Sequence, residues 1–324
     1  MARAAKIENL NCQANAADGA QLVIETRFAE MWTLRAGALE WADPEGVHGM
    51  RVASRRLRSA LEDFRAHLPQ LHLKKLQKNA RTIAAALGRV RDLDVGIDAL
   101  EALRDEAAPE VKAGIEQIVG DRKLKRESYR EELRLAIGPE AAQQSHQRFA
   151  RVREKWPTAM DQSSSSASFA DVGREVIIKR SEDLRRLGAS LYRPFETSPL
   201  HEMRIMAKRL RYAVELFSPC WPQALEASME AIARLQADLG DLHDCDEWIS
   251  EFGRELRYRQ RFSAEWSEAA AWLLATFTKK RGKSYTASLM LWEEWQRRGF
   301  FADLTAIISS AVNRQTDEVA VSVE

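Results

Sequence analysis

Residues 48–64 read HGMRVASRRLRSALEDF, and residues 201–217 read HEMRIMAKRLRYAVELF. Wound at 100° per residue, His48, Arg51, Arg55 and Arg58 fall within an arc of about 80° on one side of a helix. Met50, Ala53, Leu57, Leu61 and Phe64 gather opposite them, as a core face would. The second stretch repeats the arrangement, with His201, Arg204, Lys208 and Arg211 against Met203, Met206, Leu210, Val214 and Phe217. Each row of cations is about 15 Å long at 1.5 Å per residue. The chemistry open to such a row is the gripping of phosphate oxygens, for which the arginine fork offers paired, charge-assisted hydrogen bonds.

The plainer alternative is a solvated helix face, and that predicts acids mixed among the bases, because like charges at i, i+4 destabilise a helix. Arg51–Arg55 and Arg204–Lys208 are like-charge pairs at that spacing, and acids on the stripe stand only at its end, at Glu62 and Glu215. Self-repulsion in both copies calls for a polyanion to neutralise it. Single-stranded nucleic acid would favour aromatic platforms among the cations; the first stripe has none and the second only Tyr212 nearby. No Walker A or GxGxxG loop is present for a mononucleotide. A linear, baseless phosphate chain fits a long row best.

Other residues compete for attention. His48 and His201 could be phosphate donors, general bases, metal ligands, or histidines that merely hold the motif helix by an internal hydrogen bond. Their alignment with the arginines favours a phosphate donor, stronger when protonated. LHDCDEW, residues 242–248, has the look of a metal-dependent phosphohydrolase site, but His243 corresponds to Arg91 in the other copy and no second histidine is near in sequence. No metal or other cofactor is therefore expected. Lys123, Arg126 and Arg130, with Lys279 and Lys283 in the other half, form a second tier of candidate phosphate contacts beside the reading of solvated surface. Arg56 and Arg209 are supporting candidates, with Asp92 and Asp244 either orienting them through ion pairs or capping helices.

These residues need elements to carry them, and the chain supplies the elements twice. Residues at and around His48 recur 153 positions later at His201, LGRVRDLD (87–94) recurs as LGDLHDCD (239–246), and KLKRESY (123–129) recurs more faintly as KKRGKSY (279–285). Three blocks in one order at nearly constant offset indicate a duplicated unit. Apolar residues recur at three- and four-residue spacing throughout, so the expected fold is all-α, as two four-helix bundles related by a pseudo-twofold axis. The first helix of each unit is expected over residues 19–41 and 169–191. The motif helix follows, entered at Asp43-Pro44 and Ser198-Pro199. A third helix is expected to end at Gly88 or Gly240 in the left-handed position. Asp92 and Asp244 would then cap the next helical region, with Glu247 completing a capping-box spacing. The serine run DQSSSSAS marks residues 161–168 as a linker. The expected organisation is an unstructured start over 1–18, a first half over 19–160, the linker, a second half over 169–312 and an unstructured tail over 313–324.

The chain has 324 residues with a formal net charge of only +1, and its pI near 7.8 argues against a general nucleic-acid coat. Three cysteines, Cys12, Cys220 and Cys245, are far apart without a CxxC pair. No disulfide or zinc site is expected from them; Cys220 and Cys245 read as small packing residues, and a reducing cytosol fits. No secretory signal stands at the start, and the longest apolar run, AAAWLLATF, is too short to span a bilayer. A cytoplasmic, soluble protein without membrane partners is the expectation.

VHGMRVASRRLRSALEDF, LGRVRDLDV, LHEMRIMAKRLRYAVELF and LGDLHDCDEW together resemble the repeated signatures of the CHAD domain, the conserved-histidine α-helical domain, over residues 19–310. The resemblance implies two four-helix bundles facing each other across a basic groove or pore that binds inorganic polyphosphate, with association at polyphosphate granules. It carries over residue by residue onto His48, Arg51, Arg55, Arg56 and Arg58, and onto His201, Arg204, Lys208, Arg209 and Arg211. Many family members are fused to a CYTH triphosphatase domain with an ExExK strand motif; that motif is not in this sequence, so its activity is not implied. The leading expectation is a non-enzymatic polyphosphate binder. A metal-dependent polyphosphate hydrolase is the alternative, and a nucleic-acid-binding protein stands third.

Overall fold

The computed structural model describes residues 4–41, 43–68, 70–156, 167–258 and 262–312. Residues 161–166 of the serine run and the tail from 313 lie outside the described residues. The fold is all-α. Among the described residues, eleven α-helices run in the order α1 (Ala16–Thr33), α2 (Arg35–Ala38), α3 (Pro44–Asp63), α4 (Gln70–Glu106), α5 (Pro109–Ile137), α6 (Pro139–Glu154), α7 (Phe169–Arg186), α8 (Thr197–Phe217), α9 (Glu226–Leu256), α10 (Ala264–Arg298) and α11 (Phe300–Ser309). The entry to α3 acts as its sequence predicts, and a glycine makes a late bend in the chain. Asp43 accepts the Glu45 amide at 2.9 Å ahead of Pro44, and Gly299 takes a left-handed φ of 74° where α10 turns into α11.

Neighbouring helices pack in the same way in both halves: α1 on α3 and α7 on α8, α3 on α4 and α8 on α9, α4 on α5 and α9 on α10. Counterpart helices also touch across the halves, α1 with α7, α3 with α8 and α5 with α10. The apolar core does not divide at the serine run. One cluster joins Met50 and Leu57 of α3, and Phe64 at its C-cap, to Phe169 of α7 and Met203, Leu210 and Phe217 of α8. At the far end, Leu100 of α4 and Ile115 of α5 pack with Phe252 of α9 and Phe277 of α10. Phe64, Phe169 and Phe217 meet with ring centroids 4.9–5.6 Å apart. Gly19 is what lets α1 come so close, since a methyl there would lie 2.3 Å from the Phe169 ring.

Several boundaries differ from expectation. The start of the chain is in place from residue 4: Asn15 caps α1 by accepting the Ala17 amide at 2.8 Å, and Ala16 and Ala17 are buried. The Ala16 amide donates to Ala167 O and the Phe169 amide to Ala14 O, at 3.0 and 2.9 Å, so the two halves are stitched together ahead of α1 and α7. Ser168 is no linker residue; it caps α7 in a reciprocal box with Asp171. Cys12 is bonded to Cys220, with Cα atoms 5.5 Å apart, which corrects the expectation of no disulfide. The two are far apart in sequence and meet only because the first segment lies on the second half. Cys245 remains a buried free thiol, its pKa raised to about 11 by burial and then by Asp241 and Asp244.

Gly88 and Gly240 do not end helices. They sit inside α4 and α9, of 37 and 31 residues. A glycine costs a helix only about 1 kcal/mol relative to alanine, which packing along a long helix offsets. Asp92 and Asp244 accordingly cap nothing. The first expected helix breaks at Leu34, and α8 begins at Thr197 after Glu196 with no side-chain cap, so Ser198 is not its N-cap. Among the described residues no helix is long and apolar enough to cross a membrane.

Candidate functional site

The motif helices α3 and α8 pack on each other, and the cations of their facing flanks converge. Arg55, Arg58, Lys208 and Arg209 line a cavity of about 470 Å³ together with Arg81 of α4 and Arg180 of α7. The acid on this lining is Glu62, and Tyr212 and Ile205 supply its less polar wall. Among the described residues, no carboxylate pairs with Arg55, Arg58, Arg81, Lys208 or Arg209, whereas Arg180 is held by the buried Asp63 at 2.7 Å. Four arginines and a lysine without carboxylate partners on one cavity make a strongly positive field.

The field is legible in the titration behaviour. Burial, then Arg81, Arg55 and Arg209, lower the pKa of the Arg58 guanidinium. Burial and Arg55 likewise lower that of Arg51, with Asp92 opposing and Arg204 adding to the repulsion. Arginine stays charged regardless. Lys208 is held down to about 7 by burial and then by Arg55, Arg204, Arg51 and Arg58. Arg51 and Arg204 thus belong to the same positive row, just outside the cavity lining.

Arg51 and Arg204 are where the aspartates act. Asp92 accepts from Arg51 Nη2 at 2.8 Å and Asp244 stands 4.0 Å from Arg204 Nη2. The orienting role expected of these acids is present, but toward Arg51 and Arg204 rather than Arg56 and Arg209. Gly88 and Gly240 lie beside the same guanidiniums: a Cβ on either would stand 3.8 or 3.9 Å from Arg51 or Arg204 Nε. The second aspartate of each block clamps the following helix. Asp94 binds Arg126 of α5 at 3.2 Å, and Asp246 binds Arg281 of α10 at 2.5 Å.

The histidines sit at the start of each row. His201 Nδ1 lies 3.0 Å from His243 Nδ1 of α9, so one ring must donate to the other. His243 is held to about 4 by burial and then by Arg204, His201 and Lys208, and so is neutral at pH 7. His48 is lowered by burial and by Arg91, which occupies the place of His243 in the first half; Glu45 opposes. Among the described residues no group of three or more His, Cys, Asp or Glu side chains is arranged to hold a metal.

Other expected residues fall elsewhere. Arg56 is buried at 8% exposure and bonded to Glu215 at 2.8 Å, with Glu30 at 3.5 Å, so it is a structural ion pair and not a phosphate contact. Arg211 donates to Gln236 at 3.1 Å and does not line the cavity. Lys123 pairs with Glu101, Arg126 with Asp94, and Arg130 with Glu127 and the Trp41 carbonyl. Lys279 and Lys283 lie exposed on α10. None of these five lines the cavity. The lining cations that sequence reasoning missed are Arg81 and Arg180. Arg180 stands 153 positions after Arg27, the offset of the histidines. Arg81 shares a helix face with Gly88 and Asp92, seven and eleven residues further on.

The family model of the CHAD domain matches residues 22–253, a shorter span than the motifs implied. Among solved structures, the crystal structure of the CHAD domain from the plant Ricinus communis aligns with a TM-score of 0.69 at 22% identity, covering 89% of this chain and 95% of that one. PptA from Streptomyces chartreusis aligns at 0.61 and 17% identity, covering 86% and 100%. No curated protein matches the sequence. At these identities the likeness to the solved structures is one of fold. The family model, however, takes in both motif helices and well over half of the sequence: the chain belongs to the CHAD domain family.

Proposed function

We propose that this protein binds inorganic polyphosphate along α3 and α8, with the chain seated in the cavity and running past Arg51 and Arg204. The observation that carries the reading is the convergence of Arg55, Arg58, Arg81, Lys208 and Arg209 on one cavity without acid partners among the described residues. Cations held together against their own repulsion fit a ligand that carries one negative charge per repeating unit. Arginines dominate the set, and their forks suit phosphate oxygens. The resemblance of its motifs to the CHAD-domain signatures, which implies a basic groove for polyphosphate, points the same way.

Binding without turnover is part of the proposal, since Asp92 and Asp244 face arginines of the row and Glu62 stands alone among the lining residues as an acid. Association with polyphosphate granules in the cytoplasm is its cellular counterpart. Long-chain polyphosphate should bind with an affinity that falls steeply with salt, by roughly a hundredfold or more between 50 and 200 mM if six or more phosphates are contacted. Arg55→Glu with Lys208→Glu should abolish that binding and leave the helical circular dichroism intact. Persistent binding after the double reversal would remove the cavity from consideration. Preference for single-stranded DNA over polyphosphate at physiological salt, or phosphate release with Mg²⁺, would replace the reading by one of its competitors.

A further inference from the structure

We propose that Lys208 is the group through which the cavity takes up a proton when polyphosphate enters, so that binding tightens as pH falls toward neutrality. This deepens the polyphosphate reading and rests on it. The geometry carries the inference. Lys208 stands at the position that Arg55 holds in the duplicate, one repeat earlier. An arginine there cannot give up its proton, whereas a lysine can. Beyond the histidines at its start, the duplicated row therefore contains one cation able to switch off, and Arg51, Arg55, Arg58 and Arg204 surround it.

The elements packed around it present mostly positive charge, uncompensated from α3, α4 and its own helix. From α3 come Arg51, Arg55 and Arg58, with Glu62 as the single acid on the lining. Its own helix adds Arg204, Arg209 and the phenol of Tyr212. His243 faces it from α9, Arg81 from α4, and Arg180, neutralised by Asp63, from α7. In the empty protein burial and these arginines hold Lys208 at about 7. A polyanion reverses the sign of the local field, so the amine returns toward the ordinary lysine range and stays protonated. Above pH 7 the bound form then carries a proton that the empty form lacks. By linkage, affinity rises as pH falls through that window and levels off below about 7. His48 and His243 are lowered in the empty protein, by burial first, so the window that isolates Lys208 lies well above the ordinary imidazole range.

The test is isothermal titration of the full chain with long-chain polyphosphate at pH 8.5, at one ionic strength, in two buffers of different ionisation enthalpy. At this pH the chain's own phosphates hold almost no protons. The wild type should take up about one proton per site, and its affinity should fall about tenfold per pH unit between 7.5 and 9.5. Lys208→Arg should bind at all these pH values with its buffer dependence and pH slope lost. Wild-type binding without buffer dependence at pH 8.5 overturns the inference, as does a slope that survives in Lys208→Arg. Absence of binding even at pH 6.5 overturns the polyphosphate reading itself, which is a distinguishable failure.

Discussion

The two flanks of the α3–α8 crossing carry nearly the same charges and do opposite things with them. On one flank Arg27 and Arg56 meet Glu30 and Glu215, and the remaining void is about 10 Å³. At the same sequence offset, the other flank has Arg180, Arg209, Asp183 and Glu62, beside the cavity of about 470 Å³. Closure on the first flank depends on reach. Glu30 touches both Arg27 and Arg56, and the Ala5 amide and carbonyl bind Glu30 and Arg27 from outside. Asp183, one methylene shorter, pairs with Arg186 of its own helix instead. Arg209 is left exposed with no ion pair among the described residues. One set of charges makes a lock or a site according to whether a carboxylate can bridge it.

Substituting the equivalent arginines separates the two. Arg56→Met takes their shared cation from the half-buried Glu30 and Glu215, Glu30 keeping Arg27, which should cost about 3 kcal/mol in urea unfolding. Arg209→Met should change stability by no more than about 0.5 kcal/mol and weaken polyphosphate binding on the order of tenfold. Equal stability losses would mean that the two flanks are not differently built.

The open flank is also held open against repulsion, so relieving it should stabilise the empty protein. Lys208 titrates at about 7 in the folded chain and near the ordinary lysine value when unfolded. The unfolded state therefore binds the proton more readily between those values. The residue's destabilising effect is complete below about pH 7 and disappears as pH approaches the unfolded value. Lys208→Met should raise the melting temperature at pH 6.5, by about 2–4 °C for each kcal/mol of repulsion removed. The gain should shrink at pH 9.5. A gain independent of pH would assign the effect to packing alone.

How much of this could be read from sequence follows from what was repeated and what was not. The motif helices were legible because each shows an apolar face, a cationic face and a second copy. Arg56 and Arg58 differ by only two positions, yet one is a buried lock and the other lines the cavity, and the recurring RLR string cannot tell them apart. Its place in the first copy depends on Glu30 from a different helix. Asp92 and Asp244 looked like caps because each follows a Leu-Gly pair that ordinarily ends a helix. The long-range packing of α4 and α9 overrides that local preference. The pairing of Cys12 with Cys220 had no sequence signal, since 208 residues separate them and only the path of the first segment over the second half brings them together. The absence of a core boundary at the serine run was equally invisible, because counterpart helices bury the same apolar stripe that a separate bundle would have buried.

The finest distinction between the halves concerns the aspartates beside the row. Arg51 is bonded to Asp92 at 2.8 Å, while Arg204 stands 4.0 Å from Asp244. Asp92 is largely exposed, so the first pair should be worth no more than about 1 kcal/mol. Each acid competes with phosphate for its arginine, and the closer pair competes harder. Asparagine keeps an oxygen acceptor to hold the guanidinium in place while removing the charge. Asp92→Asn should therefore tighten polyphosphate binding two- to fivefold, and Asp244→Asn by less, with melting temperatures nearly unchanged in both. A loss of affinity in Asp92→Asn would show that the carboxylate's charge, and not only its hydrogen bond, holds Arg51 in its binding position. In that case the shorter ion pair is part of the site, and the halves differ in how firmly each arginine is presented to the ligand.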